Sequence, residues 1–246
     1  MDRMYKKIKY IMLMIMYGIY MVRWYIEALF IPIIKKRGDE ALEEFKYNSI
    51  LKWARFTFKI IEADLRYEGI ENIPDEACLF VGNHQSMLDI PALLLGANRV
   101  VGFVAKKELL SVPIIGKWIK ICNSVALDRE DPRDAVRVVK EAVEILKSGK
   151  SMAIYPEGTR AKDGNIQEFK AGSLKLAIRA KVPIVPVTID GSYKAFELNS
   201  KFEKATIKVK YGKPIYTDNL TKEEQKELSK FIHDQIKDNL DKMRSE

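Results

Sequence analysis

Apolar positions recur along this chain in two rhythms. From residue 65 to 211 they come as short runs, at 65–68, 77–81, 100–105, 123–127, 152–155, 184–189 and 206–211. Runs of that length between polar or turn-forming residues predict β-strands. Between several of them lie stretches with helical spacing, near 87–95, 113–121, 132–148 and 170–180. Strand and helix in alternation predict an α/β fold, a mostly parallel sheet flanked by helices on both faces.

Two of the helices carry end signals. In 132–148, Asp131 is the expected cap, Pro132 the first helical residue and Gly149 the terminator. Its expected buried stripe is Ala135, Val139, Ala142, Val143 and Leu146. A later helix opens on Thr221-Lys-Glu-Glu224, the spacing of a capping box. Leu228, Phe231, Ile232 and Ile236 are its expected apolar face, with His233 beside them turned to solvent.

Residues 1–37 follow a different pattern. The run 10–22 is uncharged and rich in methionine, isoleucine and tyrosine. As a helix it reaches about 20 Å, short of the roughly 30 Å hydrocarbon core of a bilayer. Extension to Ile34 supplies length, but it puts Arg23 and Glu27 near mid-membrane at about 2.5–3.5 kcal/mol each. Pro32 interrupts the second part. Lys6, Lys7 and Lys9 precede the run and Lys35, Lys36 and Arg37 follow it, so a single span strands one basic cluster on the non-cytoplasmic side. Two short helices that dip into one leaflet and return fit better, with Tyr17, Tyr20, Trp24 and Tyr25 near the headgroups. A soluble helical hairpin packed on the domain is the alternative. Arg23-Trp24 offers no small-residue site for signal-peptide cleavage. A further helix follows over 40–61. The expected division is a helical membrane-anchoring segment, 1–61, and an α/β domain, 62–246. The anchor would lie on the cytoplasmic face of the membrane, monotopic or peripheral through 1–37.

Composition narrows the partners. A chain of 246 residues with 47% hydrophobic and 31% charged residues builds a core and is not disordered in the main. A net charge of +8 favours an anionic partner: a phosphorylated substrate, an anionic lipid surface or nucleic acid. No helix-turn-helix, RNA-binding or aromatic-stacking pattern supports nucleic acid. Cys78 and Cys122 stand in apolar surroundings and read as free thiols. Metal-ligand spacing, a phosphate-binding glycine loop and a dinucleotide fingerprint are all absent from the sequence.

The chemistry is concentrated in Asn83-His84-Gln85-Ser86-Met87-Leu88-Asp89. His84 is one of two histidines, and the other lies in a charged C-terminal stretch. Positions five apart on one helix point about 140° away from each other. His84 and Asp89 therefore meet only if the histidine sits in the loop before a helix. Ser86 would cap that helix and Asp89 would sit at its third position. A carboxylate there holds one ring nitrogen as N–H and leaves the other as a base. Ser86-x-x-Asp89 also reads as a capping box serving only the helix start. Ser86 lacks the glycine elbow of a nucleophile.

A second motif, Tyr155-Pro156-Glu157-Gly158-Thr159-Arg160, follows the run 152–155. Arg160 offers a planar fork suited to phosphate, and Thr159 with nearby N–H groups adds donors. The alternative is a polar turn in which Glu157 and Arg160 pair with each other. Lys106 and Arg129 also follow strands, so three strand ends deliver cations.

Taken in order, Asn83-His84-Gln85-Ser86-x-x-Asp89, Ala105-Lys-Lys-Glu-Leu109, Val125-Ala-Leu-Asp-Arg129, Tyr155-Pro-Glu-Gly-Thr-Arg160 and Val182-Pro-Ile-Val-Pro186 resemble the motif blocks of the glycerolipid acyltransferases, in particular the 1-acyl-sn-glycerol-3-phosphate acyltransferases. Tyr155 stands where the family has phenylalanine, and Ala126-Leu127 replace bulkier residues. The resemblance covers roughly 64–215. It implies transfer of a fatty acyl group from acyl-CoA or acyl carrier protein to the 2-hydroxyl of lysophosphatidic acid, forming phosphatidic acid at a bilayer surface. It implies no cofactor beyond the thioester co-substrate. His84 and Asp89 would be catalytic. Lys106, Arg129, Glu157, Gly158, Thr159 and Arg160 would bind substrate. Glycerol-3-phosphate or another lyso-lipid is the alternative acceptor; a non-enzymatic basic protein of the membrane surface is the alternative of another class.

Overall fold

The computed structural model describes residues 2–131, 133–170 and 172–245. Pro132, the expected first residue of a helix, lies outside them. The helices are α1 (Asp2–Leu29), α2 (Ile31–Lys35), α3 (Asp39–Ile61), α4 (Asp89–Ala97), α5 (Pro113–Ile121), α6 (Asp134–Lys147), α7 (Lys175–Ala180), α8 (Ser192–Ala195) and α9 (Lys222–Ser245). The strands are β1 (Asp64–Glu68), β2 (Leu79–Gly82), β3 (Gly102–Lys106), β4 (Val125–Leu127), β5 (Met152–Ile154), β6 (Ile184–Asp190) and β7 (Thr206–Tyr211). All seven expected strands are present.

They form one seven-stranded sheet in the order β1-β7-β6-β2-β5-β3-β4. From β6 to β4 every pairing is parallel. β7 runs antiparallel to β6, and β1 parallel to β7, so two strands at one edge point the other way. The sheet is mostly parallel and carries helices on both faces, as expected. β2 and β6 are buried at every residue, which is why their sequences are continuous apolar runs instead of alternating ones. Successive side chains still go to opposite faces. Phe80 joins a core with α1, α3, α4 and α5, while Leu79 and Val81 join a second core with α6, α7 and α9.

The N-terminal region departs from expectation. In place of two short helices there is one 28-residue helix, α1. Arg23 and Glu27 do not break it because they pair across one turn at 3.0 Å, and Glu27 also accepts a bond from Ser49 Oγ at 2.6 Å. Pro32 falls in the first turn of α2, where its missing N–H costs nothing. α1 lies antiparallel on α3: Lys9 meets Glu62 at 2.6 Å, Tyr17 meets Thr57 at 3.3 Å, and Trp24 Nε1 donates to Ser49 Oγ at 3.1 Å. A helical hairpin is therefore present, with α1 and α3 as its arms. Trp24 is sandwiched between Trp53 at 4.7 Å and Trp118 at 4.4 Å, which pins both arms to α5. The other face of α1, including Ile8, Ile11, Ile15, Ile19, Val22 and Ile26, is exposed. Among the described residues, Lys7–Lys35 is the one segment long and apolar enough to cross a membrane, with mean hydropathy 1.3.

Smaller differences have local causes. α6 starts at Asp134, and Val138 replaces Ala135 in its buried stripe with Ala142, Val143 and Leu146. Asp131 caps only the turn before it, accepting the Arg133 N–H at 2.9 Å. Gly149 ends α6 at φ +82°, as expected. The Thr221–Glu224 box closes reciprocally, at 2.8 and 3.2 Å. Phe231 is 58% exposed, outside the buried Leu228, Ile232 and Ile236 stripe. His233 is not turned fully to solvent; its ring meets Phe169 edge-on at 5.2 Å. Both cysteines are free thiols.

Candidate active site

Because β6, β2, β5, β3 and β4 are parallel, their C-terminal ends share one edge of the sheet, and the loops they feed share it too. His84 follows β2, the strand flanked by β6 and β5. Asn83 extends β2 by one residue of side chain. Its amide donates to Ile189 O and accepts from Ile189 N, each at 2.8 Å, and so fixes where the histidine leaves the sheet.

His84 Nδ1 lies 2.8 Å from Asp89 Oδ2. The histidine is in the loop and Asp89 starts the helix, which is the condition the spacing set. Asp89 is the first residue of α4 and not the third, because its own carboxylate shapes the preceding turn. Oδ2 also accepts the Gln85 and Ser86 N–H groups, at 2.7 and 2.8 Å. Ser86 Oγ serves Leu88 N at 3.2 Å and does not cap α4. The two readings of this spacing are thus one arrangement: a single oxygen orients the imidazole and caps the turn. Asp89 Oδ1 accepts the Ser192 hydroxyl. A carboxylate with no exposed surface would be costly without such donors, and Asp89 has four. Nε2 of His84 makes no hydrogen bond among the described residues, and its side chain is 17% exposed.

The imidazole stacks on Tyr155 at 4.2 Å, the two ring planes nearly parallel. Gly82 makes room, since a Cβ there would come within 3.3 Å of the tyrosine ring. Glu157 is buried, and Oε1 accepts the His84 backbone N–H at 2.7 Å while Oε2 accepts Gln167 N at 3.2 Å. Burial raises its carboxyl to about 7 against those two bonds, which pull the other way. Gly158 turns at φ +73°, with Lys170 packed where a side chain would go. Thr159 is exposed. Arg160 does not pair with Glu157; its Nη1 binds Glu197 Oε1 at 2.7 Å.

The remaining cations stand farther off. β3 is two strands from β2 and β4 is three, so at about 4.8 Å per strand Lys106 and Arg129 start roughly 10 and 14 Å from the His84 strand. Lys106 pairs with Glu108 at 2.8 Å. Arg129 is exposed and has no ion pair among the described residues. The structure therefore brings His84, Asp89, Glu157 and Arg160 together, and leaves Lys106 and Arg129 along the edge.

Sequence reasoning missed Ser192 and Glu197, which follow β6. It also missed a bridge to the far end of the chain: Arg244 of α9 binds Asp190 Oδ1 at 2.9 Å, and Gln85 reaches the same oxygen at 3.3 Å. These contacts link residues 37 to 111 apart in the chain, and no local spacing signals them. Below the loop, Met87, Leu88 and Leu94 line an apolar cavity of about 270 Å³ with Trp24, Trp118 and Phe103. No group of three His, Cys, Asp or Glu side chains is placed to hold a metal among the described residues.

Comparison with known proteins agrees with this fold. A family model described as Acyltransferase matches residues 64–190. The chain is 36% identical over 183 residues to a chloroplastic 1-acyl-sn-glycerol-3-phosphate acyltransferase of Brassica napus, covering 72% of this chain and 52% of that protein. It spans about half the length of such plant relatives. To a probable 1-acyl-sn-glycerol-3-phosphate acyltransferase of Mycoplasma pneumoniae it is 30% identical, over 78% of this chain and 75% of that one. The crystal structure of the 1-acyl-sn-glycerophosphate acyltransferase of Thermotoga maritima superposes with a TM-score of 0.83 at 30% identity, covering 98% of both chains.

Proposed function

The chain belongs to the acyltransferase family that includes the 1-acyl-sn-glycerol-3-phosphate acyltransferases, and from that premise we propose that it transfers a fatty acyl group from a thioester to the 2-hydroxyl of lysophosphatidate. The observation that carries this reading is one imidazole with Nδ1 fixed on a buried carboxylate and Nε2 without a partner among the described residues, near an arginine.

Nε2 takes the hydroxyl proton as the acceptor oxygen attacks the thioester carbonyl. Asp89 keeps the other proton on Nδ1 and stabilises the imidazolium that forms. When the tetrahedral intermediate collapses, the C–S bond breaks and the thiolate takes the proton back from Nε2. No acyl-enzyme is required. Glu157 and Gly158 shape the floor under His84, and Arg160 holds the acceptor's phosphate through the N–H groups it does not give to Glu197. Arg129 and Lys106, farther along the edge, draw anionic substrates toward it.

The apolar cavity suits an acyl chain, with each methylene that enters worth about 0.8 kcal/mol. The exposed apolar face of α1 would lie in one leaflet of the cytoplasmic membrane, so that chains reach the cavity without crossing water. The donor is acyl-CoA or acyl carrier protein.

Thiol release by the full-length protein in mixed micelles tests the reading. Acyl-CoA is offered with lysophosphatidate, glycerol-3-phosphate or lysophosphatidylcholine. Lysophosphatidate should be preferred; no acceptor-dependent release, or equal rates with the choline lipid, would refute it.

A further inference from the structure

Glu197 follows α8, beyond the residues matched by the family model, and no motif in the sequence marks it. Its side chain is only 5% exposed. Three donors converge on Oε1: Arg160 Nη1 at 2.7 Å, Met87 N at 3.1 Å and Ser86 Oγ at 3.3 Å. Two of these belong to the His84 loop and one to the Tyr155–Arg160 loop. One buried oxygen therefore joins the loop that carries the base to the loop that carries the phosphate-binding cation.

Charge and freedom favour more than a structural tie. Of the three donors only Arg160 is charged, and its side chain is 36% exposed. A long side chain at such a mouth would otherwise sample many rotamers. Ser86 and Met87 hold the carboxylate in place, and the carboxylate in turn holds the guanidinium beside the His84 loop. Arg160 makes no other hydrogen bond among the described residues, so its remaining N–H groups stay available. A neighbouring negative charge does not strengthen phosphate binding as such; what it supplies is position.

We propose that Glu197 is a positioning residue for acyl transfer, holding Arg160 so that a phosphate bound to it presents the acceptor hydroxyl to Nε2 of His84. This rests on the reading of Arg160 as the phosphate-binding group. The signature is a split between kcat and KM. Without Glu197's charge the phosphate is still attracted, but the hydroxyl is misplaced.

The test uses the full-length protein in mixed micelles with acyl-CoA and lysophosphatidate. Glu197→Gln keeps an acceptor for Met87 and Ser86 while removing the charge under Arg160. It should lower kcat about tenfold, a modest misplacement, with the lysophosphatidate KM no higher than in the parent. In an Arg160→Ala background the same change should have no further effect on kcat. A prop that serves only the loop would instead cost the same factor in both backgrounds, and that result overturns the proposal. An unchanged kcat, or a rise in KM alone, overturns it too. Should Glu197→Gln unfold, Glu197→Asp keeps the charge but pulls Arg160 back by one methylene, and it should show the same loss in kcat. Arg160→Ala separates the two readings. If it leaves the lysophosphatidate KM unchanged, the phosphate assignment fails and takes this inference with it. If it raises KM while Glu197→Gln leaves kcat intact, only the inference falls.

Discussion

Two regions meet at the His84 loop and are held together by different physics. Above it lies a polar lattice in which Asp89 alone takes four donors and Glu197 three. Below it, the α1–α3 hairpin, α4 and α5 enclose an apolar chamber around the stack of Trp24, Trp53 and Trp118. In the lattice each contact is directional, so one lost atom changes what the site can do. In the chamber many weak contacts add together, so one lost atom changes how much and how firmly. The contrast teaches that chemistry and anchoring should separate under mutation.

The sharpest way to break that separation is His84→Ala. It removes the proposed base and should cut kcat by roughly 10² to 10⁴, with the unfolding temperature almost unmoved. A variant that keeps most of its turnover would end the assignment. From the other side, Trp24→Ala empties the middle of the stack and should cost about 3–5 kcal/mol in denaturant unfolding. Because Trp24 also lines the proposed acyl cavity, the donor KM should shift, while kcat per folded molecule at saturating donor should change little; a large loss in kcat would mean that chamber and lattice are not independent.

The extent of the lattice is the next question. Arg160→Lys keeps the charge and loses the planar fork, so the lysophosphatidate KM should rise about tenfold. Arg129→Lys, just past a strand three places from β2, should change KM less than about twofold at moderate salt. Equal effects would extend the phosphate site along the edge.

A last prediction, on stability and not on turnover, concerns Glu157. Its carboxyl titrates near 7 in the fold because it is buried, against 4.5 in the unfolded chain. Between those values folding takes up a proton, so this group's contribution to stability declines as pH rises from about 4.5 to about 7. Glu157→Gln should flatten that decline in unfolding measured at several pH values. A parent and variant with parallel pH profiles would show that the carboxyl is already ionised across the window.

Reading the chain by periodicity alone yields the strands, most helices, the Thr221 capping box and the terminator Gly149, because each depends on neighbours a few residues away. The meeting of His84 and Asp89 was legible for the same reason. Their spacing allows contact only across a loop-to-helix junction, and the junction is local. Hydropathy without partners misjudged α1. It counted Arg23 and Glu27 as an insertion cost and so favoured two short helices, whereas the two charges satisfy each other along one continuous helix and Ser49 of α3 completes the arrangement.

Only the tertiary structure decided that β1 and β7 run against the other five strands, that Ser192 and Glu197 bond to Asp89 and Arg160, and that Lys106 and Arg129 stand apart from Arg160. Sheet order and long-range hydrogen bonds follow from which surfaces are buried together. That choice is settled by the whole core at once, and no short stretch of sequence contains it.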